Sequence, residues 1–394
     1  MKKLTFALIA ILLIAVILIP NVAVAEENGD GYTRNSEIYT FVEELCERQK
    51  SDKLSARAFI KEKFVDLLGE NAVEEQKFTV GQKECVNLVA TIAKSNEFDQ
   101  IIIGAHYDTV YEGAGDNACG VAALYLTMQR LAKESLPFNV VFVAFDGEED
   151  GLVGSEYYVS RMSQKELKTT LVMFNIDTIA TGDNLYLMCE NKPTDLAKLI
   201  LRNADGLQEK PHAKGIFGNG FDFFGYGYYE MVQGSDHTPF RLAGIPIAFF
   251  FSGTYSAKVW DYAESADPNK AVMNTSADTF ENLVSKFPNF EDRIITVSDA
   301  VVNTVKNDEF LTIDARKQLV KLDFWYNVWW PIITVALIGI AAIVLAIFYY
   351  RKLQKNAILG ESEIKSQTVF DKPKAEDIFT FKSDDSDDIF TFKK

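Results

Sequence analysis

Five short apolar runs constrain the fold of this chain more than any other feature. Each run has the length of a β-strand, and together they cover residues 87–92, 100–105, 140–145, 171–176 and 245–252. Because the runs are apolar throughout rather than alternating, both faces of the strands are expected to be buried. Segments of helical composition separate or flank them, at residues 33–70, 117–133 and 282–306. The pattern predicts an α/β sandwich, in which helices cover both faces of a mainly parallel sheet.

Polar clusters follow these predicted strands directly. Residues 106–108 read HYD, residues 146–150 read DGEED, and Asp177 ends the motif FNID. In open α/β sheets, ligands bind beyond the carboxyl ends of the strands, so these side chains are expected to meet at one edge. Adjacent glutamates entering a glycine turn after an apolar strand are poorly placed for unpaired charges unless a cation compensates them. The arrangement predicts a bound cation.

Two of the three histidines stand in acid-containing motifs, His106 in AHYD and His237 in SDHTPF. Another acid, Asp116, lies in the glycine-rich motif GAGDNACG. Imidazole and carboxylate ligands together suit zinc, and a bridging carboxylate allows one site to hold two ions. His212 has no such acidic neighbours and is predicted to be a surface residue.

The ordered set of motifs resembles that of the co-catalytic di-zinc exopeptidases, metallopeptidase family twenty-eight. This family includes secreted leucyl aminopeptidases, glutamate carboxypeptidase and glutaminyl cyclase. The resemblance covers roughly residues 85–300, and it implies a three-layer sandwich with a mixed, mostly parallel central sheet flanked by helices. It also implies two Zn²⁺ ions. The ligands would be His106 and Asp177 for one ion, Glu149 and His237 for the other, and Asp116 as the bridge between them.

The same resemblance assigns roles to two further acids. Glu148 would be the general base, which takes a proton from zinc-activated water and delivers it to the departing amine. Asp108 would orient the imidazole of His106. The predicted function is therefore that of a metallo-exopeptidase that removes N-terminal residues from peptides.

Three other functions stay open: a carboxypeptidase, a glutaminyl cyclase, and a non-catalytic peptide-binding receptor on the same fold. Relatives that select a C-terminal carboxylate use clustered arginines, whereas residues 210–280 contain only Arg241. Tryptophan, which lines the cyclase pocket, is represented before residue 320 only by Trp260. Both observations favour an aminopeptidase.

The chain departs from the family pattern at three places. The usual doubled Asp is Gly115-Asp116, and the usual Ser is Cys119. Many relatives read H-T-x-x-D-T late in the domain, whereas this chain reads NTSADT, beginning at Asn274. We interpret the missing histidine as a change in the substrate pocket that leaves the zinc site intact.

Apolar segments at the two ends predict export and membrane anchoring. Residues 1–25 have the charge, apolar core and A-x-A order of a signal peptide, with an uncleaved signal anchor as the alternative. Residues 331–350 carry no charge, are long enough to span a bilayer, and precede Arg351, Lys352 and Lys355. The positive-inside tendency therefore predicts a single-pass cell-membrane protein with its C-terminus in the cytoplasm. The predicted parts are an extracellular peptidase domain (26–310), a stalk (311–330), the transmembrane helix (331–350) and the tail (351–394).

The net charge of the chain and a repeat in its tail indicate which partners it binds. The formal net charge of −16 argues against nucleic acid as a partner and leaves peptide substrates and the membrane. The tail is predicted to be disordered, and it repeats DIFTFK at residues 377–382 and 388–393, which suggests a cytoplasmic partner. Cys46 and Cys85 form a candidate disulfide in an exported domain.

Overall fold

The computed structural model describes residues 27–28, 32–33, 36–94, 99–190, 192–211, 234–255, 262–319 and 324–370. The predicted signal peptide, His212 and both DIFTFK repeats lie outside these residues. The chain divides into two units, Met1–Leu322 and Asp323–Lys394. A short antiparallel pairing of Glu27–Asn28 with Tyr32–Thr33 precedes the first helix of the first unit.

The helices of the first unit are named here in chain order. They are α1 (Ser36–Ser51), α2 (Lys53–Leu68), α3 (Cys119–Leu131), α4 (Val153–Arg161), α5 (Gln164–Thr169), α6 (Asp195–Arg202), α7 (His237–Leu242), α8 (Phe280–Lys286) and α9 (Phe290–Lys306). Several begin at a side-chain cap, which satisfies backbone N–H groups that would otherwise lack a partner. Thr194, for example, accepts from the N–H of Ala197 at the start of α6.

The other described strands of this unit form a nine-stranded mixed sheet. They are β1 (Val73–Val80), β2 (Lys83–Ile92), β3 (Gln100–His106), β4 (Asn139–Phe145), β5 (Thr170–Ile176), β6 (Asn184–Met188), β7 (Leu207–Glu209), β8 (Ile247–Tyr255) and β9 (Tyr262–Ala263). Their order is β1-β2-β4-β3-β5-β8-β6-β7, with β9 paired to β8. The four central strands, β4, β3, β5 and β8, are parallel to one another. Strands β1, β2, β6 and β9 each pair antiparallel with a neighbour.

Side chains of the central strands alternate between two hydrophobic clusters, one on each face of the sheet. Ile101 and Ile103 of β3 belong to the large cluster, which also includes residues of α1, α2, α3, α6 and α9. Ile102 belongs to the small cluster, which includes Phe240 of α7 and has Tyr158 of α4 packed against it. Because both faces are covered, these strands are mostly apolar rather than alternating. The predicted fold class, a three-layer sandwich with a mixed, mostly parallel sheet, is confirmed.

The structure departs from the sequence prediction in two elements and one bond. The single helix predicted over residues 282–306 is two helices, α8 and α9, because Pro288 disfavours helical geometry at the residue before it. Strand β1 was not predicted, since only Phe78 of its side chains is buried. All four cysteines are free and buried, so the predicted bridge between Cys46 and Cys85 is wrong.

The second unit contains the helix α10 (Phe324–Phe370). Its portion Ile332–Ile358 is long and apolar enough to cross a membrane, and the described side chains in that portion are mostly exposed. The predicted transmembrane segment, residues 331–350, lies within this helix. Residues 324–330, at the end of the predicted stalk, are also helical, because α10 begins at Phe324.

Candidate metal centre and active site

Three parallel strands deliver the predicted site residues to one edge of the sheet. His106 is the last residue of β3, Glu148 follows the end of β4 at Phe145, and Asp177 follows the end of β5 at Ile176. The register is matched: His106 pairs with Phe145, and Gly104, two residues earlier, pairs with Asn175. His106, the DGEE turn and Asp177 therefore lie at the same level beyond the sheet, as expected for an α/β fold.

His106, Asp116 and Asp177 form a compact buried group. One potential ligand atom from each lies within 4.8 Å of the others. The Nε2 atom of His106 is 3.1 Å from an oxygen of Asp116 and 3.1 Å from an oxygen of Asp177. Ligands about 2.0–2.2 Å from a tetrahedral zinc ion are separated from one another by roughly 3.3 Å, so this spacing fits the ion. The other ring nitrogen, Nδ1, lies 3.0 Å from the carbonyl oxygen of Asp108, which leaves Nε2 as the ligand atom.

The buried charges of this group shift the pKa values of its members. Burial alone would lower the pKa of His106, but the carboxylates of Asp177 and Asp116 raise it well above its usual value. Burial alone would raise the pKa of Asp177, but His106, Ser235 and Thr178 lower it by charge and hydrogen bonds. Burial raises the pKa of Asp116. A buried group with two carboxylates and one imidazole needs positive charge, and a divalent cation supplies it.

Asp116 owes its position to a carboxylate far along the chain. Asp278 accepts hydrogen bonds from the N–H groups of Gly115 (2.7 Å) and Asp116 (2.9 Å). The side chain of Asn117 donates to the carbonyl oxygen of Ile176 at the end of β5, and the Asp116–Asn117 peptide bond is cis. A Cβ atom at Gly115 would lie 2.1 Å from the Thr181 side chain. Packing therefore requires glycine where relatives have a second Asp.

Replacing Asp278 with Ala is expected to lower the free energy of unfolding by about 3 kcal/mol, since two buried N–H groups would lose their acceptor. Asp278→Asn, which retains one acceptor oxygen, is expected to lose less. Chemical denaturation of the detergent-solubilised chain measures both changes. Zinc affinity, measured by calorimetry, should fall in the same order, and an unchanged affinity in the Ala variant would contradict the role given to Asp278.

Asp108 fixes the turn that carries the two glutamates. Its carboxylate accepts from the N–H groups of Glu148 (3.1 Å) and Glu149 (3.3 Å). The nearer carboxylate oxygen is 3.7 Å from Nδ1 of His106, whereas the main-chain oxygen is at hydrogen-bond distance. Asp108 therefore contacts the imidazole through its backbone and positions the glutamates through its side chain. This second contact is not visible in the sequence.

The two glutamates have unusual acidity. Burial raises the pKa of Glu148 to about 9, with further contributions from the charges of Asp177 and Asp236 and an opposing one from His106. Burial and the charge of Asp116 raise the pKa of Glu149 to about 7. Positive charge among these carboxylates would lower both values towards neutrality or below.

The structure places Glu149 and His237 outside the compact group. Glu149 instead faces the side chain of Asn274: with its amide nitrogen turned towards Glu149, Asn274 donates to Oε1 at 2.9 Å. His237 stacks on Phe249 with ring centroids 4.3 Å apart. Its Nδ1 lies 3.4 Å from the side-chain nitrogen of Asn175, and its Nε2 is buried without a hydrogen-bond partner. Burial lowers the pKa of His237 to about 3, so the ring is neutral at physiological pH. The sequence signal for the Asn274 contact is the place of this residue in the motif NTSADT, which we relate from the sequence to the substrate pocket.

Comparisons with known proteins agree with the fold and motifs. Aminopeptidase YwaD of Bacillus subtilis is 34% identical over 165 residues, covering 39% of this chain and 32% of that protein. An aminopeptidase of Pseudomonas aeruginosa is 32% identical over 189 residues, covering 46% of this chain and 33% of that protein. The chain thus spans about a third of the length of the curated relatives it matches.

A solved structure and a family model complete the comparison. The structure of LapB from Legionella pneumophila has a TM-score of 0.50 and 20% identity, covering 68% of this chain and 72% of that chain, which supports the fold. The model described as peptidase family M28 matches residues 87–289. Since this match takes in more than half of the 394 residues, the chain belongs to peptidase family M28.

Proposed function

We propose that this chain is a zinc-dependent aminopeptidase that removes N-terminal residues from peptides outside the cell and is held at the membrane by its C-terminal helix. One observation carries the proposal: the buried group of His106, Asp116 and Asp177 stands beside Glu148 at the carboxyl edge of the sheet. The names of relatives support the peptidase activity, since those most similar in sequence include aminopeptidases.

The donor set fits zinc at this position. His106 supplies a neutral nitrogen through Nε2, and Asp116 and Asp177 supply carboxylate oxygens at a spacing suited to one ion. Asp116 and Glu149, whose charges act on each other, would help to hold a second ion. Bound zinc supplies an acidified water and a Lewis acid for the peptide carbonyl. The assignment of His237 to the second ion stays a prediction.

Glu148 is the group that moves the proton. Its side chain is largely buried, its backbone is fixed by Asp108, and its pKa of about 9 responds to the neighbouring charges. Positive charge nearby would bring this pKa towards neutrality, the range in which a carboxylate both accepts and returns a proton. Glu148 would take the proton from the attacking water and deliver it to the departing amine.

The charges around the site favour a free amine over a free carboxylate. Glu148, Glu149 and Asp108 add acidic groups next to the compact metal group, and an acidic cleft attracts a substrate ammonium group. Arg241, the only arginine of residues 210–280, is not available for a carboxylate. It is buried, and its Nε and Nη2 atoms donate to Glu190 at 2.9 Å and 2.6 Å.

Three features of the chain support the membrane location and its orientation. The apolar portion of α10 is long enough to span a bilayer, and the residues after position 350 are basic, which favours a cytoplasmic C-terminus. The N-terminal 25 residues have the pattern of an export signal. With this proposed topology, the peptidase domain would lie outside the cell.

Peptides with a free N-terminus are expected to lose their first residue when incubated with the detergent-solubilised chain, and N-acetylated copies of the same peptides are expected to stay intact. The reason is that acetylation removes the ammonium group that the acidic site attracts. Mass spectrometry of the products measures both rates. C-terminally amidated copies serve as the matched control and should be cleaved like the free peptides. If the N-acetylated peptides are cleaved and the amidated peptides are not, the chain is instead a carboxypeptidase. Tight binding of peptides without cleavage would establish a receptor.

A further inference from the structure

We propose that Asn274, together with Asp116 and Glu149, forms an oxygen-only position for the second cation, which binds zinc more weakly than the His106 position does and accepts harder ions such as Mn²⁺. This inference rests on the proposed function and specifies its metal content. It differs from the sequence-based assignment of His237 to that ion.

The first support is the contact between Asn274 and Glu149. The end of the Asn274 amide that faces Glu149 is 2.9 Å from Oε1 and 3.3 Å from Oε2. With nitrogen at that point, the amide donates a hydrogen bond to the carboxylate. A rotation of 180° about the last side-chain bond puts the amide oxygen there, beside the carboxylate oxygens of Glu149, as a neutral ligand atom. The Asn274 side chain can thus donate to Glu149 when no cation is bound and offer an oxygen ligand when one is bound, without movement of the backbone.

The second support is the location of Asn274 on the side of the sheet where Asp116 lies. Asp278, four residues later, holds the N–H of Asp116 through its carboxylate, and its carbonyl oxygen accepts from Ala114 at 3.4 Å. Val272 belongs to the large hydrophobic cluster, as does Ala114. Hydrogen bonds and shared packing therefore join the segment that carries Asn274 to the turn that carries Asp116.

The backbone of Asn274 also fits a directed side chain. Its φ of +56° lies in the left-handed region, which few residues other than glycine adopt and which asparagine tolerates better than most. A residue held in this conformation close to a functional group is a candidate for a functional role. The side chain is exposed, so a cation from solvent has access to it.

His237 lies on the other side of the sheet. Its ring stacks on Phe249, which packs against the small cluster, and α7, which it begins, contributes Phe240 to that cluster. Asp116, Glu149 and His237 do not form a group of converging ligand atoms among the described residues. The charged neighbours that act on the ring are Asp177 and Lys210. This placement suits a buried neutral histidine that packs behind Asp177 and Ser235.

The chemistry of the ligands determines which cation each position prefers. Imidazole suits zinc, whereas carboxylate and carbonyl oxygens suit Mg²⁺, Ca²⁺ and Mn²⁺. The position of His106, Asp116 and Asp177 contains an imidazole. The position of Asp116, Glu149 and Asn274 contains none. We therefore expect one tightly bound zinc ion per chain and a second, exchangeable divalent cation.

The test is a metal titration of the detergent-solubilised full chain, followed by calorimetry with Zn²⁺ and by electron paramagnetic resonance with Mn²⁺. The wild-type chain should bind one Zn²⁺ tightly and a second with an affinity lower by on the order of tenfold to a hundredfold, the range seen when metal sites lose supporting groups. Mn²⁺ added to the chain loaded with one zinc should give a bound signal equivalent to one ion per chain.

Asn274→His should make the second position prefer Zn²⁺ over Mn²⁺, because an imidazole there supplies a zinc ligand. Histidine also tolerates the left-handed backbone conformation. The second Zn²⁺ should then bind about as tightly as the first and exclude Mn²⁺. Asn269→His places an imidazole on the exposed part of the same segment and should leave both affinities unchanged. Asn274→Ala should weaken the second cation further.

Two equally tight zinc ions in the wild-type chain, with the second lost in His237→Gln and kept in Asn274→Ala, would overturn the assignment and restore His237 as a ligand. That result would leave the proposed peptidase function untouched. A folded chain that binds no divalent cation would overturn the peptidase function, and this assignment with it. Thermal melts of each variant show whether it is folded.

Discussion

The Glu148→Gln variant is expected to hydrolyse free-amine peptides with a kcat reduced by about a hundredfold to ten-thousandfold, the usual contribution of a general acid–base residue. An amide has nearly the shape of the carboxylate but does not accept the proton of water. Zinc content should stay close to that of the wild-type chain, because Glu148 is not among the converging ligand atoms of the compact group. Stopped assays with aminoacyl-nitroanilides measure kcat, and elemental analysis measures zinc.

The matched control is Glu149→Gln, which makes the same change one residue further along the turn. Both residues have their N–H groups fixed by Asp108, so the turn itself is disturbed equally little in the two variants. Glu149→Gln should reduce the affinity for the second cation, which Glu148→Gln should not. A Glu148→Gln variant that keeps the wild-type kcat would refute the role of Glu148 as the base.

The His106→Ala variant is expected to lose zinc and, with it, activity. This substitution removes the only nitrogen of the compact group and leaves two buried carboxylates whose like charges repel. The zinc affinity should fall by more than about a hundredfold, the upper end of the range for groups that only support a ligand. Calorimetric titration measures this affinity directly.

Thermal unfolding gives an independent readout of the same change. A ligand at a hundred times its Kd stabilises a folded protein by about 2.7 kcal/mol, so zinc should raise the Tm of the wild-type chain but not that of His106→Ala. The control is His212→Ala. His212 is predicted to be a surface residue and lies outside the described residues, so this variant should respond to zinc like the wild type. Zinc stabilisation of His106→Ala equal to that of the wild type would contradict the assignment of His106 as a ligand.

The sequence was informative where one pattern determined one structural feature. Apolar runs buried on both faces located the central strands to within a few residues, and β3 ends at His106, one residue beyond the predicted run. The carboxyl-edge rule then brought His106, Glu148 and Asp177 to the same level. Each of these predictions depends only on local periodicity and the parallel arrangement of the strands.

Other features depend on contacts between distant segments, which one sequence does not reveal. The edge strand β1 shows little hydrophobic periodicity because only one of its side chains, that of Phe78, is buried. The bond from Asp278 to the Asp116 loop and the contact of Asn274 with Glu149 join segments more than a hundred residues apart. Only the folded chain shows that Asn274 contacts Glu149, while the motif SDHTPF made His237 the more obvious choice of ligand.

The hydrogen bonds from the Asp116 loop to Asp278 determine how late in biosynthesis the metal centre can form. The acceptor of these hydrogen bonds lies 162 residues after the loop it holds. As the nascent polypeptide leaves the ribosome or the export channel, the first strands emerge long before this late segment. The protein would therefore acquire a competent metal centre only after residue 278 of its 394 residues has emerged, and fragments that end before Asp278 would be inactive as peptidases.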